Sequence, residues 1–218
     1  DAYKNNNSLI EDNLTHHQII GVKYFHDLEK KIPQKEIKNI EKYINKIIKK
    51  IDNSLNITIC GSYRRQKPES GDIDILITHD SIITEKQLTS ITYLKDLIDI
   101  LTKNKFIVDN LTYNGNTKYM GLCKYKSNPV RRIDIRFIPL DCYASSLLYF
   151  TGSGEFNKNM RTYAIKNGYT LNEYGLYKQI KINNKKVKIK TNSEEDIFKS
   201  LNLNYVEPQF RFPNHIFK

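Results

Sequence analysis

Cysteine is scarce. The three in these 218 residues, Cys60, Cys123 and Cys142, are too few and too scattered for a disulfide framework or a zinc cluster. Each reads as a small buried apolar side chain in a reducing compartment. Long apolar stretches are missing as well: no run approaches the roughly 18 residues that suggest a membrane span, although hydrophobic residues make up an ordinary 39%. No secretory or transit pattern opens the chain, so an intracellular, non-secreted protein with no membrane partner is expected. The chain begins with Asp1 rather than Met, and its start reads as a truncation boundary. Repeats and extended low-complexity segments are also lacking. What remains is enough for a real core, as one elongated domain or two or three small subdomains.

Acidic residues are outnumbered, 24 against 35 Lys and Arg, which leaves a formal charge of +11 and a pI near 9.4. Such an excess calls for a polyanionic partner, nucleic acid or an anionic membrane surface. The wealth of Lys, Asn and Ile also fits an AT-rich coding genome and a generally solvated basic surface. Charge alone does not choose between these.

Along the chain, the paired His16-His17 has no partner ligands at metal-site spacing and reads as the start of a helix. Pro33 suits the first turn of the next helix. From there Ile37, Ile40, Ile44, Ile47, Ile48 and Ile51 recur at helical spacing, with lysines on the other face. A short strand at Ile57–Cys60 is followed by Gly61-Ser62 and a basic turn, Tyr63 to Pro68. A second strand runs Asp72–Ile77, and a second amphipathic helix carries Leu88, Ile91, Leu94, Leu97, Ile98 and Leu101. Further strands are expected at Phe106–Val108, Tyr119–Tyr125 and Arg132–Ile138, with turn chemistry at Asn114-Gly115 and Ser127-Asn128-Pro129. The pattern predicts an α+β fold, a mixed β-sheet with helices on one face.

After Pro139 the pattern changes. Short helices are expected at Tyr143–Phe150 and Glu155–Lys166, with Gly168 placed to end the second. Hairpins follow from Tyr169 to Ile189, the last with Lys181, Lys185, Lys186, Lys188 and Lys190. Ser193 and Asp196 form an N-cap signal before a final short helix. This third reads as a small α+β C-terminal subdomain.

The chemistry concentrates in Asp72 and Asp74. Side chains at i and i+2 leave one face of a strand, so both carboxylates converge while Ile73 and Ile75 point into the core. The strand from Arg132 repeats the alternation, with Arg132, Asp134 and Arg136 on one face. If the two strands are neighbours, three carboxylates gather at one spot. Two unit charges 4 Å apart repel by about 4 kcal/mol at an effective dielectric near 20. A divalent cation removes that cost, and hard oxygen ligands suit Mg²⁺ or Mn²⁺. Gly61-Ser62 before Arg64 and Arg65, and Ser70-Gly71 before the first Asp, supply what a phosphate cradle needs: close backbone, hydroxyl donors and forked cations. Such a cradle beside a two-metal carboxylate site suits nucleotidyl transfer. Solvated acids on an exposed sheet face are the plain alternative for Asp-x-Asp on its own.

These segments resemble the X family of DNA polymerases, with DNA polymerase beta as its type. The matching stretches are Cys60 to Arg65, Ser70 to Asp74, Arg131 to Arg136, Leu148 to Ser153, Phe156 to Arg161, Asn172 to Tyr174, and His16 through Pro33. The resemblance implies a nucleotidyltransferase palm at 33–140, a nucleotide-binding subdomain at 141–218 and a remnant of a DNA-binding subdomain at 1–32. It implies that Asp72 and Asp74 bind two Mg²⁺ ions, for which Mn²⁺ can substitute. Asp134 would bind the catalytic one and is a candidate acceptor of the primer 3′-hydroxyl proton. Ser62, Arg65 and Gly71, with Ser70 nearby and Lys31 alongside, would hold the triphosphate. Tyr149 and Phe150 would pack on the incoming sugar, Tyr149 disfavouring ribonucleotides, with Gly152 in the same nucleotide site. Asn157 would meet the base, Arg161 the template side, and Lys158 and Tyr174 the DNA. Arg132 and Glu173 would belong to the network that rearranges on closure.

The expected activity is templated gap filling in base-excision or related repair. Primer-template or gapped DNA and dNTPs are the expected partners, the chain a monomer, and the place the nucleus or another site of viral or cellular DNA repair. Template-independent transfer and a non-catalytic DNA-binding module are the alternatives. Gly154 departs from the family pattern, where an Asp stacks near the incoming base. The family's N-terminal lyase domain and most of its helix-hairpin-helix subdomain have no counterpart here, so weak, poorly processive DNA binding is expected.

Overall fold

A computed structural model describes residues 14–180 and 185–217; Lys181 of the expected lysine-rich hairpin lies outside them. The opening helix α1 (His16–Lys23) starts at Thr15, whose side chain accepts from the Gln18 backbone in a capping box. The two histidines dock it: His16 Nε2 lies 3.0 Å from the Asn110 carbonyl and His17 Nε2 2.6 Å from that of Leu111. One short turn, α2 (Phe25–Leu28), leads to β1 (Ile32–Pro33). Pro33 precedes α3 (Gln34–Ile51) as its N-cap, one step before the expected place, because its extended backbone pairs with Glu69 of β3 (Glu69–Ser70).

The central sheet holds β2 (Leu55–Ile59), β4 (Ile73–His79), β5 (Ile107–Asn114), β6 (Lys118–Cys123) and β7 (Arg131–Phe137), in the order β2-β4-β7-β6-β5. Only the β4–β7 pair among them is parallel, so the sheet is mixed. Ile73, Ile75 and Ile77 of β4 and Ile133, Ile135 and Phe137 of β7 bury one face beneath α3 and α5 (Tyr93–Lys103). From α3 come Ile37, Ile40, Ile44, Ile47 and Ile48. Burying each such side chain contributes about 1.5–3 kcal/mol, which makes this face the main source of stability. Arg131 is buried in a two-pronged pair with Glu36, tying α3 to β7.

The second amphipathic helix begins only at Tyr93: Leu88 sits in a separate 3₁₀ turn, Glu85–Ser90, which a Thr84–Gln87 capping box opens, and Ile91 beyond it is extended. The basic turn after β2 starts as a short helix, α4 (Gly61–Arg64).

The C-terminal part holds α6 (Tyr143–Thr151), α7 (Gly154–Lys166), the hairpin strands β8 (Tyr169–Asn172), β9 (Gly175–Gln179) and β10 (Lys186–Ile189), and α8 (Glu194–Ser200). Gly168, at φ +78°, follows α7 where a left-handed residue is wanted. Ser193 caps α8 by accepting from the Asp196 backbone. Tyr143, Leu147 and Phe150 of α6 meet Cys60, Leu76 and Ile138, a small apolar seam on the sheet face opposite α3. Among the described residues no helix is long and apolar enough to cross a membrane.

Candidate nucleotidyl-transfer site

The parallel register of β4 and β7 sets Asp74 directly against Asp134. Asp72 lies in the bend just before β4 rather than within the strand, yet both it and Asp74 line one cleft of about 560 Å³. Parallel neighbours in register point equivalent side chains to one face, so the alternation read from sequence survives the shorter strand. Arg132 Nη2 lies 2.8 Å from Asp134 Oδ2 and 3.9 Å from Asp72 Oδ2, bridging two of the three acids.

The crowding bears on the acidity of these groups. Burial, then repulsion from Asp72 and Asp134, pushes the Asp74 carboxyl up to about 7. Burial also raises Asp72, against the opposing charge of Arg132. Asp134 Oδ1 is buried with no hydrogen-bond partner. An orphaned carboxylate oxygen and acids reluctant to ionise are what a divalent cation would relieve, and the donors are hard oxygens. As the side chains stand, no three His, Cys, Asp or Glu groups among the described residues form a ready cation cage. The donor chemistry fits such an ion, with Arg132 the group now facing Asp134 Oδ2.

The residues expected to cradle phosphate gather around the N-terminal end of β4. Gly61, at φ +57°, allows a close approach: a Cβ there would lie 2.2 Å from Asp74 Oδ2, so no larger residue fits beside that carboxylate. Ser62 and Arg65 line the cleft with the two acids. Arg65 is held from behind, Nη1 donating to the Thr151 carbonyl. Gly152, at φ +72°, brings backbone beside it; a Cβ would sit 3.1 Å from Arg65 Nη1. Ser70 is buried with its hydroxyl unpartnered. Gly71 lies near Lys31, whose ammonium would be 3.8 Å from a Cβ there and whose charge acts on Asp72.

The far wall is aromatic. Asn157 Nδ2 donates to the Tyr149 carbonyl at 2.7 Å, and the Arg161 guanidinium stacks 4.7 Å from the Tyr149 ring. Phe150 meets Tyr149 edge-on at 4.9 Å, and the Arg136 guanidinium lies 5.5 Å from the Phe150 ring. Lys158 lines the same cleft. Arg161 Nη2 is a third buried, unpartnered polar group.

Not every expected residue joins this cleft. Tyr174 is exposed in the β8–β9 turn and borders a second cleft of about 550 Å³, with Glu173 and Arg136. Nearly equal in size, that cleft holds none of the three aspartates, so size does not locate the chemistry. Arg132 meets Asp134 and Asp72, whereas Glu173 stands with Arg136. Arg64, read from sequence as part of the phosphate clamp, is turned away from it: Nη2 pairs with Glu194 at 2.7 Å and Nη1 donates to Thr151 Oγ1 at 2.7 Å. Glu194 also pairs with the fully buried Arg211, 2.7 Å away. This network was missed because its members lie 130 and 17 residues apart, and Glu194 reads locally as an ordinary first-turn acid.

Residues 31–140 match the DNA polymerase beta palm and residues 146–212 the DNA polymerase beta thumb. The chain is 35% identical over 210 residues to DNA polymerase lambda of Rattus norvegicus, covering 91% of this chain and 36% of the relative. With DNA polymerase lambda of Arabidopsis thaliana the identity is 31% over 217 residues, 92% of this chain and 40% of the relative. A DNA nucleotidylexotransferase of Xenopus laevis is 28% identical, over 89% of this chain and 44% of its own length. The chain thus spans about two fifths of the length of these relatives.

Proposed function

The chain belongs to the X family of DNA polymerases, the family of DNA polymerase beta, and from that premise we propose that it is a DNA-directed DNA polymerase filling short gaps during repair. The observation that carries this reading is the register that opposes Asp74 to Asp134, with Asp72 and the Ser62–Arg65 cradle in the same cleft.

In this reading Asp72, Asp74 and Asp134 hold two divalent ions, Mg²⁺ with Mn²⁺ able to substitute. Bound there, such ions favour ionisation of an attacking hydroxyl and offset charge on a leaving oxygen. The chain's own residues do the rest. Ser62, Arg65 and Gly71, with Ser70 and Lys31, grip the β and γ phosphates of a dNTP. Asp134 Oδ1, buried and unpartnered, accepts the proton of the primer 3′-hydroxyl. Tyr149, pinned by Asn157 and Arg161, presses on the sugar and excludes a 2′-hydroxyl, with Phe150 and Gly152 completing that wall. Asn157 reads the base edge, and Arg132, Lys158, Arg161 and Tyr174 meet the DNA. The palm then occupies 33–140 and the nucleotide-binding part 141–218, with 1–32 contributing to DNA contact. The chain acts as a monomer on gapped DNA, in the nucleus or another place where DNA is repaired.

A second reading, template-independent transfer, is favoured only by the similarity to the Xenopus DNA nucleotidylexotransferase. Single-nucleotide gap filling with each dNTP and rNTP, in Mg²⁺ or Mn²⁺, separates the two. We expect insertion of the complementary dNTP alone. Insertion indifferent to the template base selects the second reading; no insertion with either metal rejects both and leaves a non-catalytic DNA-binding module.

A further inference from the structure

Helix α3 lies on the sheet through Ile37, Ile40, Ile44, Ile47 and Ile48, and its opposite side carries Lys38, Lys42, Lys46 and Lys50, all exposed. These four stand at successive i,i+4 positions and so share one ridge of the helix surface. At about 1.5 Å per residue each step is about 6 Å and the row about 18 Å long. Lys35, also exposed, stands just before it. The two acids of α3 do not balance the row. Glu36 is buried in its pair with Arg131, and Glu41 accepts from the Tyr63 hydroxyl. Among the described residues, no ion pair includes Lys38, Lys42, Lys46 or Lys50.

Like charges at i,i+4 destabilise a helix. Lys50 lies in the last turn, where the helix dipole favours a cation. That does not explain Lys38, Lys42 and Lys46, which repel along the middle of the helix. An anionic partner removes the cost. Nor does DNA in the proposed cleft reach them, because Asp74 leaves β4 on the face opposite the one that Ile73, Ile75 and Ile77 bury under α3.

We propose that the lysine row on the back of the sheet is a second nucleic-acid surface, which takes the phosphate backbone of a duplex segment outside the cleft. The row covers about half of the roughly 34 Å turn of a duplex, which carries one negative charge per about 1.7 Å of axis. A row of flexible ammonium groups along a ridge, with no aromatic or forked cation among them, suits backbone contact without sequence readout. The choice of DNA as the polyanion rests on the proposed function; the row itself does not.

The test compares the full chain with its K38Q/K42Q/K46Q/K50Q variant and with the matching all-arginine variant. Affinity for a long blunt duplex, which offers no primer terminus, is measured across a salt series. Single-nucleotide insertion is measured on a short gapped oligonucleotide. Each lost phosphate contact lowers the log–log salt slope by about 0.9, so the glutamine variant should shed about 3.6 from the slope. It should bind the long duplex at least tenfold more weakly at low salt, while inserting nucleotides into the short substrate at the parent rate. The arginine variant should bind like the parent. Coincident salt slopes for parent and glutamine variant overturn the proposal. So does a glutamine variant that keeps duplex binding but loses binding to phosphatidylserine vesicles, since the row then serves a membrane surface. A parent chain that fails to fill gaps, with the slope still falling in the glutamine variant, keeps the surface and removes the polymerase reading.

Discussion

The sheet region and the C-terminal region are held together by different physics. Under the sheet, α3 and α5 bury a layer dominated by Ile and Leu, with one internal ion pair, Arg131–Glu36. The C-terminal core is smaller and aromatic, built around Phe156, Phe198 and Leu176, and a charge sits inside it. The Arg211 guanidinium lies 5.7–5.9 Å from the rings of Phe156, Phe198 and Tyr205, and its counter-charge Glu194 also reaches Arg64, the chain neighbour of Arg65 in the candidate site. Register fixes the carboxylates in the first region without help from outside it. The second region is fastened to that site by a small apolar seam and by Glu194, shared between two arginines. Loss of carbon and loss of charge should therefore act differently in the two places.

The largest effect belongs to the site itself. Asp134→Ala should leave the chain folded, since Arg132 is partly exposed and one of the two lost oxygens was an orphan, yet lower gap filling by at least about a thousandfold, the upper range for removing one charge-stabilising group. Near-normal insertion by that variant would falsify the metal assignment. Next comes the shared acid. Glu194→Gln keeps the shape but leaves Arg211, 0% exposed, without a counter-charge, at a cost of about 3–5 kcal/mol in denaturant unfolding. Because Arg64 and Thr151 move with it, insertion by the folded fraction should fall too. Ile44→Ala, under the sheet, should cost about 2–5 kcal/mol from lost burial and cavity formation but leave insertion by the folded fraction unchanged. If Ile44→Ala slowed insertion as much as Glu194→Gln, the distinction between the two regions would fail.

Much of this was open to view in the sequence, and for a stated reason. Alternation places Asp74 and Asp134 correctly because a strand's period is local, and the spacing of isoleucines places α3 because a helix's period is local. The adjacency of β4 and β7 was an assumption that periodicity could not supply; only pairing across 60 residues settles it. Local signals also misplaced some residues. Leu88 and Ile91 keep the helical spacing, yet Leu88 falls in a separate 3₁₀ turn that the Thr84–Gln87 box opens, and Ile91 is extended beyond its end. Arg64 and Arg65 look equivalent side by side, but Glu194, 130 residues away, takes one and leaves the other to the cleft. The histidine pair does open a helix, although nothing local told that it would bond to carbonyls of β5.

The smallest effect tests whether the sheet region carries a charge burden of its own. Asp74 titrates near 7 because burial, then two neighbouring carboxylates, oppose its ionisation. A carboxyl raised in the fold binds its proton more tightly there than in the unfolded chain. The stability this gives is complete below the ordinary aspartate range and is lost as pH climbs to about 7 and beyond. The full shift bounds the effect at about 4 kcal/mol, and rearrangement of Arg132 should reduce it to about 2 kcal/mol. In chelator, Asp74→Asn should therefore match the parent near pH 4 and exceed it in stability by that amount at pH 8. Adding Mg²⁺ at pH 8 should raise the parent's unfolding midpoint and close the gap, while the asparagine variant responds little. Parallel stability curves for the two proteins from pH 4 to pH 8 would mean that the three acids are not crowded. The sheet region would then hold its site without strain among the three acids, and the internal charge burden coupled to the site would be the one at Glu194.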